Sequence, residues 1–83
     1  MNRKALLRRL LEGAVHNVSF ADPVNLVVGL GFQLQRAGGS HRLYAHPEVP
    51  EMLNLQDARG EAKPYQIRQL LRLIERYNLK VED

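Results

Sequence analysis

The hydrophobic period of the chain changes at Phe32, and this change restricts most strongly the folds that the chain can adopt. Between residues 20 and 29, apolar side chains recur with the i, i+4, i+7, i+8 spacing of a buried helix face. From Phe32 onward, apolar and polar residues alternate, as they do in a strand with one buried face. A glycine-rich turn at 38–40 separates this run from a second one at 41–46. The sequence therefore predicts a helix followed directly by a β-hairpin.

The N-cap of that helix has two candidates. Ser19 and Asp22 have the spacing of a capping box, and Pro23 falls in the first turn, where its missing N–H costs least. Because both side chains can accept a hydrogen bond from a backbone N–H, either Ser19 or Asp22 can be the cap. We expect the helix over about 20–29, ended by the glycines at 29 and 31.

A short amphipathic segment precedes this helix. Over residues 3–12, four leucines form one stripe and the basic residues lie mostly elsewhere, which predicts a helix that ends at Gly13. The helix either docks on its own domain with its arginines in water, or contacts phosphate or a membrane surface. Docking is the simpler interpretation.

The C-terminal half adds one predicted strand and one predicted helix. Pro47 and Pro50 are expected to end the second strand, and residues 52–56 alternate as a third strand before a loop at 57–63. Pro64 suits the first turn of a helix. Apolar residues then follow at helical spacing, namely Ile67, Leu70, Leu71 and Ile74.

The predicted order of elements is α-α-β-β-β-α, an α+β fold with a three-stranded antiparallel sheet packed by helices on one face. Without the first helix, this is the order of double-stranded-RNA-binding domains. We expect one domain over residues 1–83, in which an extra N-terminal helix at 1–13 is added to a core at 19–79.

Composition sets the class of protein. Hydrophobic residues make up 45% and charged residues 25% of the 83 residues, which is typical of a folded globular domain. The absence of cysteine excludes disulfides and thiolate zinc sites and favours the cytoplasm. No apolar run is long enough for a membrane span, and arginines interrupt any signal-peptide core. A net charge of +3 gives a mild preference for polyanions such as nucleic acid.

The histidines do not form a metal-binding pattern. His41 and His46 are five residues apart on one predicted strand, so we expect them on opposite faces of the sheet. His16 lies far along the chain and adds no ligand spacing typical of a metal site. Ser40 lacks the elbow motif of a serine nucleophile. We therefore expect no metal and no cofactor.

A single histidine can still act as an acid or base near neutral pH, and RNA offers a suitable substrate. His41 follows the glycine turn, where the backbone N–H groups of Gly39 and Ser40 can bind a phosphate that approaches closely. Arg36 and Arg42 flank the turn and can neutralise phosphate charge. The alternative is an ordinary hairpin with an exposed histidine.

Tyr44 and Lys63 each have a binding and a structural interpretation, and His46 has a structural one. Tyr44 can stack on a base or pack against its neighbours. Lys63, just before the last helix, can bind phosphate or be solvated. His46, before Pro47, is expected to be a packing or polar residue at the strand end.

The residues around the hairpin form a combined pattern: GF at 31–32, then Arg36, then GSHRLYAHP at 39–47. This pattern resembles the HicA toxins of bacterial toxin–antitoxin pairs, and the likeness in element order covers about residues 19–79. The chain differs from the usual family pattern in two places. A VPxH strand is replaced by MLNLQD, and a GTLRxIL helix start by KPYQIRQLL.

The resemblance implies a double-stranded-RNA-binding-like fold and a metal-independent mRNA endoribonuclease, or mRNA interferase. Its expected partners are mRNA and a HicB-type antitoxin that neutralises it, with no membrane contact and no direct contact with DNA. The family's catalytic histidine corresponds to His41. Two other functions stay open, a noncatalytic RNA-binding module and a protein-interaction domain on the same fold.

Overall fold

The computed structural model describes residues 2–82, which form three helices and a four-stranded antiparallel sheet. In chain order the elements are α1 (Arg3–Leu11), α2 (Ala21–Gly29), β1 (Gln33–Gly38), β2 (His41–His46), β3 (Val49–Ala58), β4 (Glu61–Ala62) and α3 (Pro64–Tyr77). The α+β class, the hairpin and all three predicted helices are confirmed.

The sheet has one more strand than the sequence predicts. Its order is β1-β2-β3-β4, and the segment 57–63, expected to be a loop, contains the end of β3, a turn and β4. Arg59 and Gly60 form this turn with φ of 56° and 87°, because a two-residue hairpin turn with both φ values positive matches the twist of the strands. A strand of two residues is too short to give an alternation signal, so the three-strand prediction was wrong.

The third strand is also longer than expected. It begins at Val49, so Pro50 lies inside β3 and does not end β2. A proline is tolerated there because β4 pairs only with Asp57 and Ala58, which leaves Pro50 on a part of β3 that has β2 as its only partner strand.

The two faces of the sheet differ in burial. The face packed against the helices, called the helix face, carries Tyr44, Leu53 and Leu55, all of which are buried. The opposite face, called the open face, carries exposed or half-buried side chains, namely His41, Leu43, Asn54 and Gln56. The alternation in β3 produces this division, since successive side chains on a strand point to opposite faces.

Helix α1 docks on the domain, as the simpler interpretation predicts. Leu6 and Leu10 are buried in the core. The Arg3 guanidinium donates to Asn25 Oδ1 on α2, at 2.9 Å from Nη2, and to the backbone oxygen of Glu82 at 3.1 Å. The Arg3 side chain also lies so close to Gly29 that a Cβ there would be 2.4 Å from Arg3 Cδ. The N-terminal arginine is therefore a docking residue and not one left in water.

Neither predicted capping residue caps α2. Phe20 occupies the N-cap position, and no side chain accepts a hydrogen bond there. The segment before the helix is held instead by β4, since Phe20 N–H donates to the Gly60 oxygen and Ser19 forms an isolated bridge with Glu61. The backbone of this segment is thus fixed by pairing, so a side-chain cap is not what positions the helix.

Helix α3 begins at Pro64, as predicted, and ends at Tyr77, where Asn78 adopts a left-handed conformation. At this end the Tyr77 hydroxyl donates to Glu51 Oε1 at 2.5 Å, and this hydrogen bond lowers the pKa of Glu51. Arg76 lies 3.3 Å from the same carboxylate.

Within residues 2–82, no helix is both long and apolar enough to cross a membrane.

Candidate active site

The β1–β2 hairpin ends in an open glycine turn. Gly38 pairs with His41, and Gly39 has a φ of 55°, a conformation that favours glycine. A Cβ added at Gly38 or Gly39 would meet no atom within 4 Å. Because the space around the turn is open, a phosphate group can come close to the backbone of Gly39 and Ser40.

His41 lies beside this turn on the open face of the sheet. Its side chain is exposed, and its register partner on β3 is Gln56. The Nδ2 atom of Asn54, diagonally across on β3, lies 3.3 Å from His41 Nδ1. This contact orients the ring through Nδ1 and does not involve Nε2.

The contact with Asn54 is compatible with proton transfer at Nε2. An amide group presents a donor at Nδ2 and an acceptor at Oδ1, so after a rotation it can pair with Nδ1 whether or not that nitrogen carries a proton. With Oδ1 facing Nδ1–H, the neutral ring has an unprotonated Nε2, which is the form that a general base needs. Asn54 can thus hold the ring while Nε2 exchanges a proton with substrate.

A β-bulge places Arg36 on the same face as His41. The register shifts between Leu34 and Arg36, so that Arg36 pairs with Leu43, whose side chain is on the open face. Gln35 is the extra residue of the bulge, and in a regular register without the shift Arg36 would pair with Arg42 on the helix face. The bulge therefore brings one of the two predicted arginines to the face of the candidate base.

Arg42 does not join this group, which corrects the expectation that both arginines flank one site. Its guanidinium lies on the helix face, 5.5 Å from the centre of the Phe20 ring. It lines a cavity of about 510 Å³ beside α2 and a neighbouring one of about 400 Å³ that includes Gly39, Ser40 and Arg59. The reason is the two-residue period of β2, since Arg42 follows His41 directly.

Tyr44 is not available to stack on a base, which corrects the binding interpretation of this residue. Its side chain is 2% exposed and belongs to the main hydrophobic core. It shares the helix face with Leu53, its register partner on β3. The packing alternative stated from the sequence is the one that the structure adopts.

His46 is a structural residue that fixes the base of the hairpin. Because a carbonyl oxygen can only accept, Nε2 donates to the Leu30 oxygen at 2.9 Å, while Nδ1 accepts from Glu48 N–H at 3.0 Å. The ring also meets Phe32 edge-on, with centroids 5.0 Å apart. Gly31, with a φ of 97°, lies so close that a Cβ would be 3.0 Å from Nε2. The motif residues Gly31, Phe32 and His46 therefore pack together at the base of the hairpin.

Lys63 lies at the edge of the sheet, just before α3. Its ammonium group is 6.0 Å from the centre of the Tyr65 ring. It is separated from Arg36 by β2 and β3, so the two cations are on different sides of His41.

Sequence reasoning missed the polar residues of β3 that face His41. Asn54 contacts the imidazole, and Gln56 is its register partner. The signal was present in the MLNLQ alternation, in which Asn54 and Gln56 alternate with the buried leucines. Using it required the pairing register of β2 and β3, which the sequence does not give.

No cluster of three or more His, Cys, Asp or Glu side chains suited to a metal ion occurs among residues 2–82. Searches against protein-family models, curated proteins and solved structures found no match to this chain.

Proposed function

We propose that this protein is a HicA-type toxin, an endoribonuclease that cleaves mRNA without a metal ion and uses His41 as its general acid or base. The observation that carries the proposal is the position of His41. It is exposed beside an open glycine turn, and its ring is contacted at Nδ1 by Asn54 while Arg36 shares its face. These are the parts that cleavage of an RNA phosphodiester needs.

The reaction uses the 2′-hydroxyl of the substrate as nucleophile. His41 Nε2 accepts the hydroxyl proton, the 2′ oxygen forms a bond to the adjacent phosphorus, and the bond from phosphorus to the 5′ oxygen breaks. The departing 5′ oxygen takes a proton from the protonated imidazole, either directly or through a water molecule that passes its own proton on and is reprotonated by the imidazole. The products are a 2′,3′-cyclic phosphate and a 5′-hydroxyl, so atoms and charge balance.

Arg36 and the turn stabilise the charge that develops during this reaction. The guanidinium on the open face can pair with a nonbridging phosphate oxygen, and the backbone N–H groups of Gly39 and Ser40 in the open turn can donate to another. Arg42 lies on the opposite face, so its contribution is to binding of a more distant part of the ligand. We therefore assign phosphate stabilisation at the reacting centre to Arg36.

The fold supports the same proposal. From α2 to α3 the strands β1 to β3 and the two helices follow the α-β-β-β-α order of double-stranded-RNA-binding domains, with the helices on one face of the sheet. We propose that the chain has the fold of a double-stranded-RNA-binding domain, with β4 as an added short strand. A HicB-type antitoxin would silence the enzyme by covering the hairpin around His41, where acidic groups complement Arg36.

The experiment that tests the proposal is RNA cleavage in EDTA. Purified protein, free of antitoxin, is incubated with a structured mRNA beside His41→Ala and His16→Ala variants whose folding is checked by thermal melting. His16 is the matched control because it is an exposed histidine on the loop between α1 and α2. We expect cleavage by the wild type and by His16→Ala, and a decrease of about 10²- to 10⁴-fold in His41→Ala.

Three results would overturn the assignment. Equal activity of the His41→Ala variant and the wild type removes His41 from catalysis. RNA binding without cleavage in every variant favours the noncatalytic RNA-binding module, and the absence of RNA binding at physiological salt favours a protein-interaction domain.

A further inference from the structure

The first turn of α3 presents an aromatic ring to solvent. Tyr65 is 58% exposed, whereas Tyr44, the aromatic that the sequence offered for base stacking, is buried. An exposed aromatic side chain has a π-face available for a ligand, and nucleic-acid bases stack on such faces because every base has a π-face of its own.

Hydrogen bonds through Gln66 link Tyr65 to the residue that pairs with His41 across the sheet. The buried Gln66 side chain donates from Nε2 to the Tyr65 hydroxyl at 3.4 Å and accepts from the backbone N–H of Gln56 at 2.7 Å. Gln56 is the register partner of His41 on the neighbouring strand. The hydroxyl end of Tyr65 therefore lies beside β3, at the level of the cross-strand pair formed by His41 and Gln56.

A cation lies beside this ring. Lys63 places its ammonium group 6.0 Å from the ring centre, at the outer limit of a cation–π contact. An aromatic surface for a base and a nearby positive charge for the backbone are the two elements with which proteins hold single-stranded nucleic acid. On the other side of His41, Arg36 supplies positive charge on β1. A strand of RNA crossing the open face from β1 to β3 would thus meet cations on both sides of His41.

We propose that Tyr65 is the stacking surface for an unpaired base close to the scissile bond, and that Lys63 holds the adjoining phosphate. The identity of the ligand as RNA rests on the proposed function. Stacking is tolerant of base identity because every base has a π-face, so this site selects single-stranded RNA over duplex and does not fix a sequence.

The test measures RNA affinity apart from cleavage. All variants carry His41→Ala, which removes the candidate base, and bind a fluorescein-labelled single-stranded RNA of about ten nucleotides, a length within the usual footprint of single-strand binding sites. Anisotropy gives Kd for Tyr65→Phe, Tyr65→Leu and Leu11→Ala. The last is a matched control, since Leu11 on α1 is 61% exposed.

We expect Tyr65→Phe to bind as the parent does, because the ring is kept. Tyr65→Leu keeps an apolar side chain but not the π-face, and we expect its Kd to rise by about 5- to 150-fold, the range for the loss of one base–aromatic stack. A 2-aminopurine in the RNA is quenched on stacking, and this quenching should disappear in Tyr65→Leu only. Duplex RNA should show no dependence on Tyr65.

The two proposals fail separately. Unchanged Kd and quenching in Tyr65→Leu overturn the stacking role whether or not the wild type cleaves RNA. Tyr65-dependent binding by a wild type that does not cleave keeps the stacking role and overturns the catalytic function. Absence of RNA binding in the His41→Ala parent and the wild type overturns both and leaves a contact with protein as the remaining role for Tyr65.

Discussion

The Gln66 side chain accepts a backbone hydrogen bond from β3 that a neighbouring strand would otherwise accept. Its substitution gives the sharpest test of the fold around the site. Asp57 N–H points towards β2 and donates to the Ser40 oxygen at 2.8 Å. The preceding N–H, that of Gln56, points to the other edge of β3, because neighbouring backbone groups alternate along a strand. Strand β4 does not extend to this position, so Gln66 Oε1 accepts the hydrogen bond from Gln56 N–H at 2.7 Å.

Gln66→Met removes the acceptor and keeps the volume of the side chain. The Gln66 side chain is 2% exposed, so the change leaves Gln56 N–H without a partner in a poorly hydrated position. Such an unsatisfied buried donor costs about 1–3 kcal/mol. At about 4–8 °C per kcal/mol for a domain of this size, a loss near 2 kcal/mol lowers Tm by about 8–16 °C.

Thermal melting followed by circular dichroism measures this loss, and amide hydrogen exchange locates it. Exchange at Gln56 should accelerate in Gln66→Met more than exchange at neighbouring amides of β3. Gln69→Met is the matched control, because Gln69 is a half-buried glutamine on the same helix. We expect its effect on the free energy of unfolding to stay within about 0.5 kcal/mol. A Gln66→Met variant that melts within about 2 °C of wild type would refute the reasoning.

Three further predictions concern the scaffold. Leu70→Ala should lower the free energy of unfolding by about 2–5 kcal/mol, measured by urea titration, since Leu70 is fully buried; exposed Leu11→Ala should change it little. The His46 ring should carry its proton on Nε2 when neutral, and imidazole ¹⁵N shifts showing the Nδ1–H form would contradict the hydrogen-bond assignment. Tyr77→Phe should raise the pKa of Glu51 in a carboxyl NMR titration, because the donated hydrogen bond is lost. The stabilisation from that bond is present above the unfolded-state pKa of Glu51 and is lost as pH falls through the lower folded-state value, so the wild type and Tyr77→Phe should converge in acid.

The local signals in the sequence predicted several elements well. The helical spacing after Pro64 gave α3, and the alternation on both sides of the glycine turn gave the β1–β2 hairpin. Both signals come from neighbouring residues along the chain, because a helix repeats every 3.6 residues and a strand every two. Burial of Leu70 and exposure of His41 follow from the same periods.

Elements that depend on contacts between distant residues were not predictable in this way. Strand β4 has two residues and exists through its pairing with the end of β3, and α2 is positioned by pairing of residues 18–20 with the β4 segment. Pro50 is acceptable within β3 only because β4 does not extend that far. None of these facts has a periodic signal in the sequence.

The candidate site divides along the same line. The sequence by itself determined that a histidine follows a glycine turn and that His41 and His46 point to opposite faces, since the period of a strand is a local property. Only the tertiary structure decided which charged and aromatic groups accompany His41. A bulge in β1 turns Arg36 towards it, the register of β3 brings Asn54 to its ring, and packing against the helices buries Tyr44 and turns Arg42 away. Register and packing join residues far apart in the chain, and for that reason their outcome is decided when the whole domain folds.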